Sequence, residues 1–208
     1  MKMGLITLLQ KNPATFLILA VPLLYSIIAH EVAHGWVAYL FGDDTAKRSG
    51  RLSLNPLVHL DPLGTIALFL VGFGWAKPVP IGYFNLKNLR LGLICISLAG
   101  CLTNFAIATI AMYFLYSKIV ASNTLTGIML FWVVKVNIML GVLNLIPIPP
   151  LDGSKILLGF LPGEAQRVLA SIEPYGVFIL IGLIFMGALN PLIAFAYSFI
   201  FYIIKLVT

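Results

Sequence analysis

Charge is scarce in this chain. Of 208 residues only 10% are charged, and the acids, histidines and cysteines number seven, three and two. Soluble domains carry about 25% charged residues. With 61% hydrophobic residues and a mean hydropathy of +1.04, a water-soluble globule is excluded and an integral membrane protein is expected. Repeats, low-complexity tracts and charged tails are all missing. The length suits a single domain over residues 1–208, without room for a separate soluble one. The first apolar stretch has no small-residue cleavage site, so it does not read as a cleaved signal peptide. Cys95 and Cys101 are six residues apart on one expected helix. Their Cα atoms should lie about 9 Å apart, too far for a disulfide. The net charge of +6 comes from residues in short loops between apolar stretches, which sets membrane orientation and gives no reason to expect a nucleic-acid partner.

What the chain has in abundance is long apolar stretches. Four are long enough to span: roughly Pro13–Phe41, Leu91–Tyr116, Leu125–Leu145 and Tyr175–Leu206. Asn190-Pro191 should kink or break the last, and a complete break would leave two short segments. Leu63–Phe73 is apolar but too short for an ordinary span, and the prolines and glycines that follow through Gly82 favour an extended path. The expectation is an all-α polytopic membrane protein with about four transmembrane helices. Residues 63–82 would add a re-entrant or extended membrane-associated element beside the first helix. Five or six spans are the alternative. With four spans, eight basic residues fall beside the loop 42–90 and four on the other side, which puts that loop in the cytoplasm and both termini outside.

The first span contains His30-Glu31-Val32-Ala33-His34. An H-E-x-x-H pattern on a helix sets two imidazoles about 40° apart on one face, so both reach one metal ion. Glu31 points about 100° away from His30. It is badly placed as a third ligand and well placed to act on a water at the metal. A zinc-hydrolase motif in a span implies that peptide bonds are cut inside the bilayer.

Two histidines leave zinc short of a third protein ligand. Asp43 and Asp44 follow the helix end and read as a solvated loop. Asp61 before Pro62 reads as an N-cap. His59 reads as a loop or interfacial residue, and Glu164 and Glu173 as solvated parts of a hydrophilic connection. Asp152 lies just past the proline-rich break Asn144-Leu145-Ile146-Pro147-Ile148-Pro149-Pro150-Leu151-Asp152-Gly153. From the residues alone it is either the N-cap of a helix beginning near Ser154 or a functional acid at membrane depth.

The ordered combination of His30-Glu31-Val32-Ala33-His34 with Asn144…Pro147…Leu151-Asp152-Gly153 resembles the site-2 protease family of intramembrane zinc metalloproteases. Gly50-Arg51-Leu52-Ser53-Leu54-Asn55-Pro56, Asp61-Pro62 and Gly74-Trp75-Ala76-Lys77-Pro78-Val79-Pro80 extend the likeness over most of the membrane core. The resemblance implies that Asp152 is the third ligand of one Zn2+ per chain. It implies transmembrane-helix protein substrates in a lipid bilayer, cut as part of regulated intramembrane proteolysis. It also implies a multi-pass protein of a prokaryotic cell membrane with its site toward the cytoplasm. The chain is similar to the compact branch without PDZ-like or CBS-like domains. In Ser97-Leu98-Ala99-Gly100-Cys101 the cysteine replaces the family's usual proline, which should leave the second span straighter.

Asn137, Gly141 and Asn144 share a face of the third span that should meet the catalytic helix, with Asn137 bonding between helices and Asn144 supporting the active site or substrate. Ser97, Gly100 and Asn104 form a similar stripe on the second. Lys135 faces away from the site and reads as snorkelling. The rival function is a zinc-stabilised scaffold or a metal carrier. It would need His30, His34 and Asp152 but have little use for a charged Glu31 in a span.

Overall fold

The computed structural model describes residues 10–64, 66, 76–117 and 119–208. Its helices are α1 (Pro13–Leu40), α2 (Thr45–Arg48), α3 (Leu89–Tyr116), α4 (Leu125–Asn144), α5 (Asp152–Phe160), α6 (Gly163–Ile172), α7 (Gly176–Phe185) and α8 (Asn190–Val207). Among the described residues there is no strand, only an isolated antiparallel bridge between Leu60 and Ala76. The all-α class is as expected. Residues 65 and 67–75, which carry most of the expected half-inserted element, lie outside the described residues.

Polar residues fix where the three core helices begin. Asn12 accepts from the Thr15 N–H at α1, Asn88 from Leu91 at α3 and Thr124 from Gly127 at α4. Between these caps the sequence is apolar, so the helix is the form that satisfies every backbone group without water. α3 packs against α1, α4 and α5, and α1 also packs against α4. One apolar cluster joins Ala108 and Met112 of α3, Val134 and Ile138 of α4, and Ile204 of α8. α3 runs unbroken through Cys101, and both cysteines are free.

Among the described residues five helices are long and apolar enough to cross a membrane, within the expected range of about four to six; the last two are Gly163–Phe185 and Asn190–Val207. The break at the end of the chain is complete. Gly187 adopts a left-handed φ of 69°, and Pro191 sits in the first turn of α8, where its missing N–H costs nothing. Upstream, the connection around Glu164 is helical and belongs to the fourth candidate span. Five crossings put the two ends of the chain on opposite faces, whereas four would put both on one.

The loop after α1 is also more ordered than its polarity suggests. Asp43 is fully buried, not solvated. Its carboxylate accepts from the Gly82 N–H at 2.7 Å, from Asn85 Nδ2 at 2.8 Å and from Thr45. His59 is likewise buried and bonds through Nε2 to the Ser53 carbonyl at 2.7 Å. Arg51, 6% exposed, donates to the carbonyls of Val58, Lys77 and Pro78. Lys77 N–H in turn reaches the His59 carbonyl at 2.8 Å. These bonds clamp the extended residues 77–82 against the end of α1. Asp61 is an N-cap, as expected, accepting from the Gly64 N–H at 2.7 Å.

Burial works to raise the Asp43 carboxyl, but the hydrogen bonds from Asn85, Thr45 and Gly82 outweigh it and hold it below its usual value. Because the folded pKa is depressed, the stabilisation is full above the unfolded pKa of about 4 and is lost as pH falls through the folded value. Asp43→Ala should cost about 2–3 kcal/mol at neutral pH, because buried donors lose a charged acceptor. Thermal unfolding in detergent should show the deficit shrinking below pH 4.

Candidate metal centre

α1 delivers His30 and His34 to one face one turn apart, each 6% exposed, with ring centroids 4.5 Å apart. Asp152, 7% exposed, arrives from 122 residues further on. Its Oδ2 lies 2.9 Å from His30 Nε2 and 3.1 Å from His34 Nε2. Asp152 does not cap its helix. The cap position is Leu151, no side chain bonds there, and the Asp152 carboxylate turns to the imidazoles instead. Burial works to raise that carboxyl. Hydrogen bonds and charge from the two histidines outweigh it and keep it below the usual carboxylate range.

Two glycines make the meeting possible. A Cβ on Gly153 would lie 2.4 Å from the carbonyl oxygens of Leu145 and Ile146, so only glycine lets α5 start this close to the end of α4. A Cβ on Gly100 would lie 2.5 Å from the His30 ring, so α3 is pressed directly onto that imidazole.

The donor set fits a zinc ion. Bonds of about 2.0–2.2 Å separate the donors of a tetrahedral site by roughly 3.3 Å, and the observed separations need to open by only a few tenths of an ångström. Glu31 is a second acid near the pair, its ligand atom within 4.8 Å of theirs. Its Oε2 is already engaged, accepting the Val79 N–H at 2.9 Å, whereas Asp152 touches both histidines directly. The arrangement therefore separates one carboxylate at the metal position from one beside it.

The histidines are anchored differently. His34 Nδ1 bonds to the Ile96 carbonyl at 2.6 Å, leaving Nε2 to face Asp152. His30 Nδ1 is buried and has no protein partner among the described residues.

A cavity of about 370 Å³ opens on this centre, lined by His30, Glu31, His34 and Asp152, by Val79 and Ile81 of the extended segment, and by Asn144. Asn144 also donates to the Leu140 carbonyl of its own helix at 3.0 Å. Asn137 is buried and donates to Ser26 Oγ at 2.8 Å, so its face of α4 meets α1. Asn104 is fully buried one turn beyond Gly100, outside the cavity lining. Lys135 points away, its Nζ 5.0 Å from the Trp132 ring centroid.

Sequence reasoning missed Lys155 and the backbone of Val79. Lys155 lines the cavity together with Tyr83. Burial works to lower its ammonium, but Tyr83, Asp152 and Glu31 outweigh it, so it stays charged. Its spacing of three residues from Asp152 on one helix was a readable signal. The Val79 amide carries no side-chain signature and was not legible.

Residues 117–189 match the model of peptidase family M50. The chain is 40% identical over 166 residues to YwhC of Bacillus subtilis strain 168, a candidate zinc metalloprotease by name, covering 76% of this chain and 75% of that protein. It is 30% identical over 185 residues to Rip2 of Mycolicibacterium smegmatis, named likewise, covering 84% and 69%. Rip2 of Mycobacterium tuberculosis strain H37Rv is 32% identical over 176 residues, covering 80% and 66%. No solved structure matches. The convergence of an H-E-x-x-H helix with the aspartate beyond a proline-broken span thus accompanies a likeness along most of its length to zinc metalloproteases, and the chain belongs to peptidase family M50, the site-2 proteases.

Proposed function

We propose that this chain is a single-domain intramembrane zinc endopeptidase that cuts peptide bonds within the transmembrane segments of other membrane proteins, as in regulated intramembrane proteolysis. The observation that carries the reading is Asp152 Oδ2 within 2.9 and 3.1 Å of two imidazole nitrogens, with the Glu31 carboxylate alongside. His30, His34 and Asp152 would hold one zinc ion. When bound, zinc supplies Lewis acidity, polarising a carbonyl and acidifying a water. Glu31 takes the proton of the attacking water and delivers it to the leaving amine. Its bond to the Val79 amide occupies Oε2 and leaves Oε1 to handle the proton.

A helical substrate hides its peptide bonds, so it must unwind at the site. The extended segment supports capture by strand addition. In an extended chain, alternate residues present their N–H and C=O to the same edge. Residues 77, 79 and 81 share one edge: the Lys77 N–H is taken by the His59 carbonyl and the Val79 N–H by Glu31, while the Ile81 N–H makes no hydrogen bond among the described residues. The opposite edge carries Pro78 and Pro80, which have no N–H to offer. An unwound substrate therefore pairs on the Glu31 side, with its backbone across the cavity. Asn144 lies where it can bond that backbone, while Asn137 and Asn104 lie behind the site.

With five crossings the basic residues of loop 42–90 and Lys155 still face the same side as Lys205, so the loop-side face is the cytoplasmic one. The centre then lies toward the cytoplasm of a prokaryotic cell, with water reaching it from the ordered loop.

Glu31→Gln in purified protein should retain zinc while cleavage of a transmembrane substrate falls about 10²–10⁴-fold. Undiminished cleavage would reject the mechanism, and zinc retained without cleavage rejects the scaffold and carrier reading. Ile81→Pro, which deletes the free donor on the catalytic edge, should lower kcat/KM about tenfold with zinc content unchanged. An unaltered kcat/KM would remove strand addition from the mechanism.

A further inference from the structure

One turn beyond His30, three helices bring polar side chains to the same depth. Ser26 precedes His30 by four residues on α1 and lies on its face. Asn137 of α4 donates to Ser26 Oγ at 2.8 Å, which fixes its level. Gly100 of α3 abuts the His30 ring, and Asn104 follows it by four residues on the same face. The exposures of Ser26, Asn104 and Asn137 are 4%, 0% and 0%. This is a polar layer sealed inside an apolar helix bundle.

Its bonding is incomplete in a patterned way. Four buried atoms in and beside the layer have no protein partner among the described residues: His30 Nδ1, Asn104 Nδ2, Asn104 Oδ1 and Asn137 Oδ1. With Nε2 of a neutral His30 turned to the metal position, Nδ1 carries the proton. The set is then two donors and two acceptors. Leaving such groups unpaired costs about 1–3 kcal/mol each. A buried water is stable where two to four polar partners surround it, and it can both accept from a ring N–H and donate to an amide oxygen. Metal-ligating histidines almost always donate their second nitrogen to a carboxylate, a carbonyl or water. His34 uses the Ile96 carbonyl; His30 has no such group.

We propose that Asn104, with Asn137, holds a buried water that accepts the His30 Nδ1 proton, making the two asparagines positioning residues for one zinc ligand. The layer gives His30 the fixed tautomer and ring orientation that Ile96 gives His34. It acts from behind the metal, and no substrate touches it. This rests on His30 being a zinc ligand.

The test uses full-length protein in detergent and reads zinc affinity by competition with a chelator, beside the melting temperature of the zinc-free form. His30→Ala is the control for the metal reading: zinc affinity unchanged there would overturn that reading itself. Asn104→Leu should weaken zinc binding about 10–100-fold. The zinc-free melting temperature should hold or rise, because an apolar side chain of similar size replaces unpaired polar atoms. Asn104→Ser, which keeps a hydrogen-bonding group and leaves room for water, should recover most of the affinity. Zinc affinity within twofold of wild type in Asn104→Leu overturns the proposal. So does a fall in zinc-free melting temperature without rescue by serine, which marks a purely structural role. Should Asn104→Leu fail to fold, imidazole nitrogen NMR of the zinc-loaded wild-type protein decides. A protonated His30 Nδ1 with zinc on Nε2 supports the relay, and zinc on Nδ1 overturns it.

Discussion

The contact of one carboxylate oxygen with two imidazoles organises this molecule. Asp152 and the histidine pair come from opposite ends of a 122-residue separation, and nothing in local sequence preference brings them together. For them to meet, α4 must stop at its prolines, α5 must begin hard against the last carbonyls of α4, and α3 must press its backbone onto His30. Gly153 and Gly100 are the residues that permit those approaches. Charged and polar groups at this depth are costly unless paired, so the helices that carry them are held to a narrow set of arrangements.

A division of labour follows between core and periphery. α1, α3, α4 and the short α5, together with the extended residues 78–81, line the centre. In the last two candidate spans only 6% of the most apolar window is buried, against 28–33% in the first three. α8 touches α3 and α4, while α7 leaves most of its surface to lipid. Precision is thus concentrated where three helices interlock. α7 and α8 contribute no residue to the lining of the centre, although α7 begins hard against Pro149, three residues before Asp152.

Much of this was legible in the sequence, and what was not has physical reasons. The histidine pair could be read because helical periodicity is local and the pattern sits inside one span. The role of Asp152 could not be fixed from spacing, since an aspartate after a proline run caps helices as readily as it faces a metal. Resemblance pointed to it, and the structure set its carboxylate against both rings. Residues 163–174 are polar enough to read as a connection, and the structure makes them the helical start of the fourth candidate span. Asp43 and His59 read as solvated or interfacial because loops usually are, yet both are buried, and the Gly82 amide that Asp43 holds lies in a segment whose path has no periodicity to reveal it. Backbone donors such as the Val79 amide leave no trace in residue type at all.

The paired prolines of the extended segment have a further consequence. A strand edge exposed in or near a bilayer invites any unfolded chain, including another copy of the same protein, to zip onto it and grow a sheet. Pro78 and Pro80 offer no N–H on their edge, and the next donor on it, Gly82, is taken by Asp43, so such growth is disfavoured there. On the other edge Lys77 is bonded to His59 and Val79 to Glu31, which leaves Ile81, at the wall of the metal-centre cavity, as its unbonded donor among the described residues. The prolines and bonds that leave so little of either edge unpaired also keep the segment from becoming a template for aggregation.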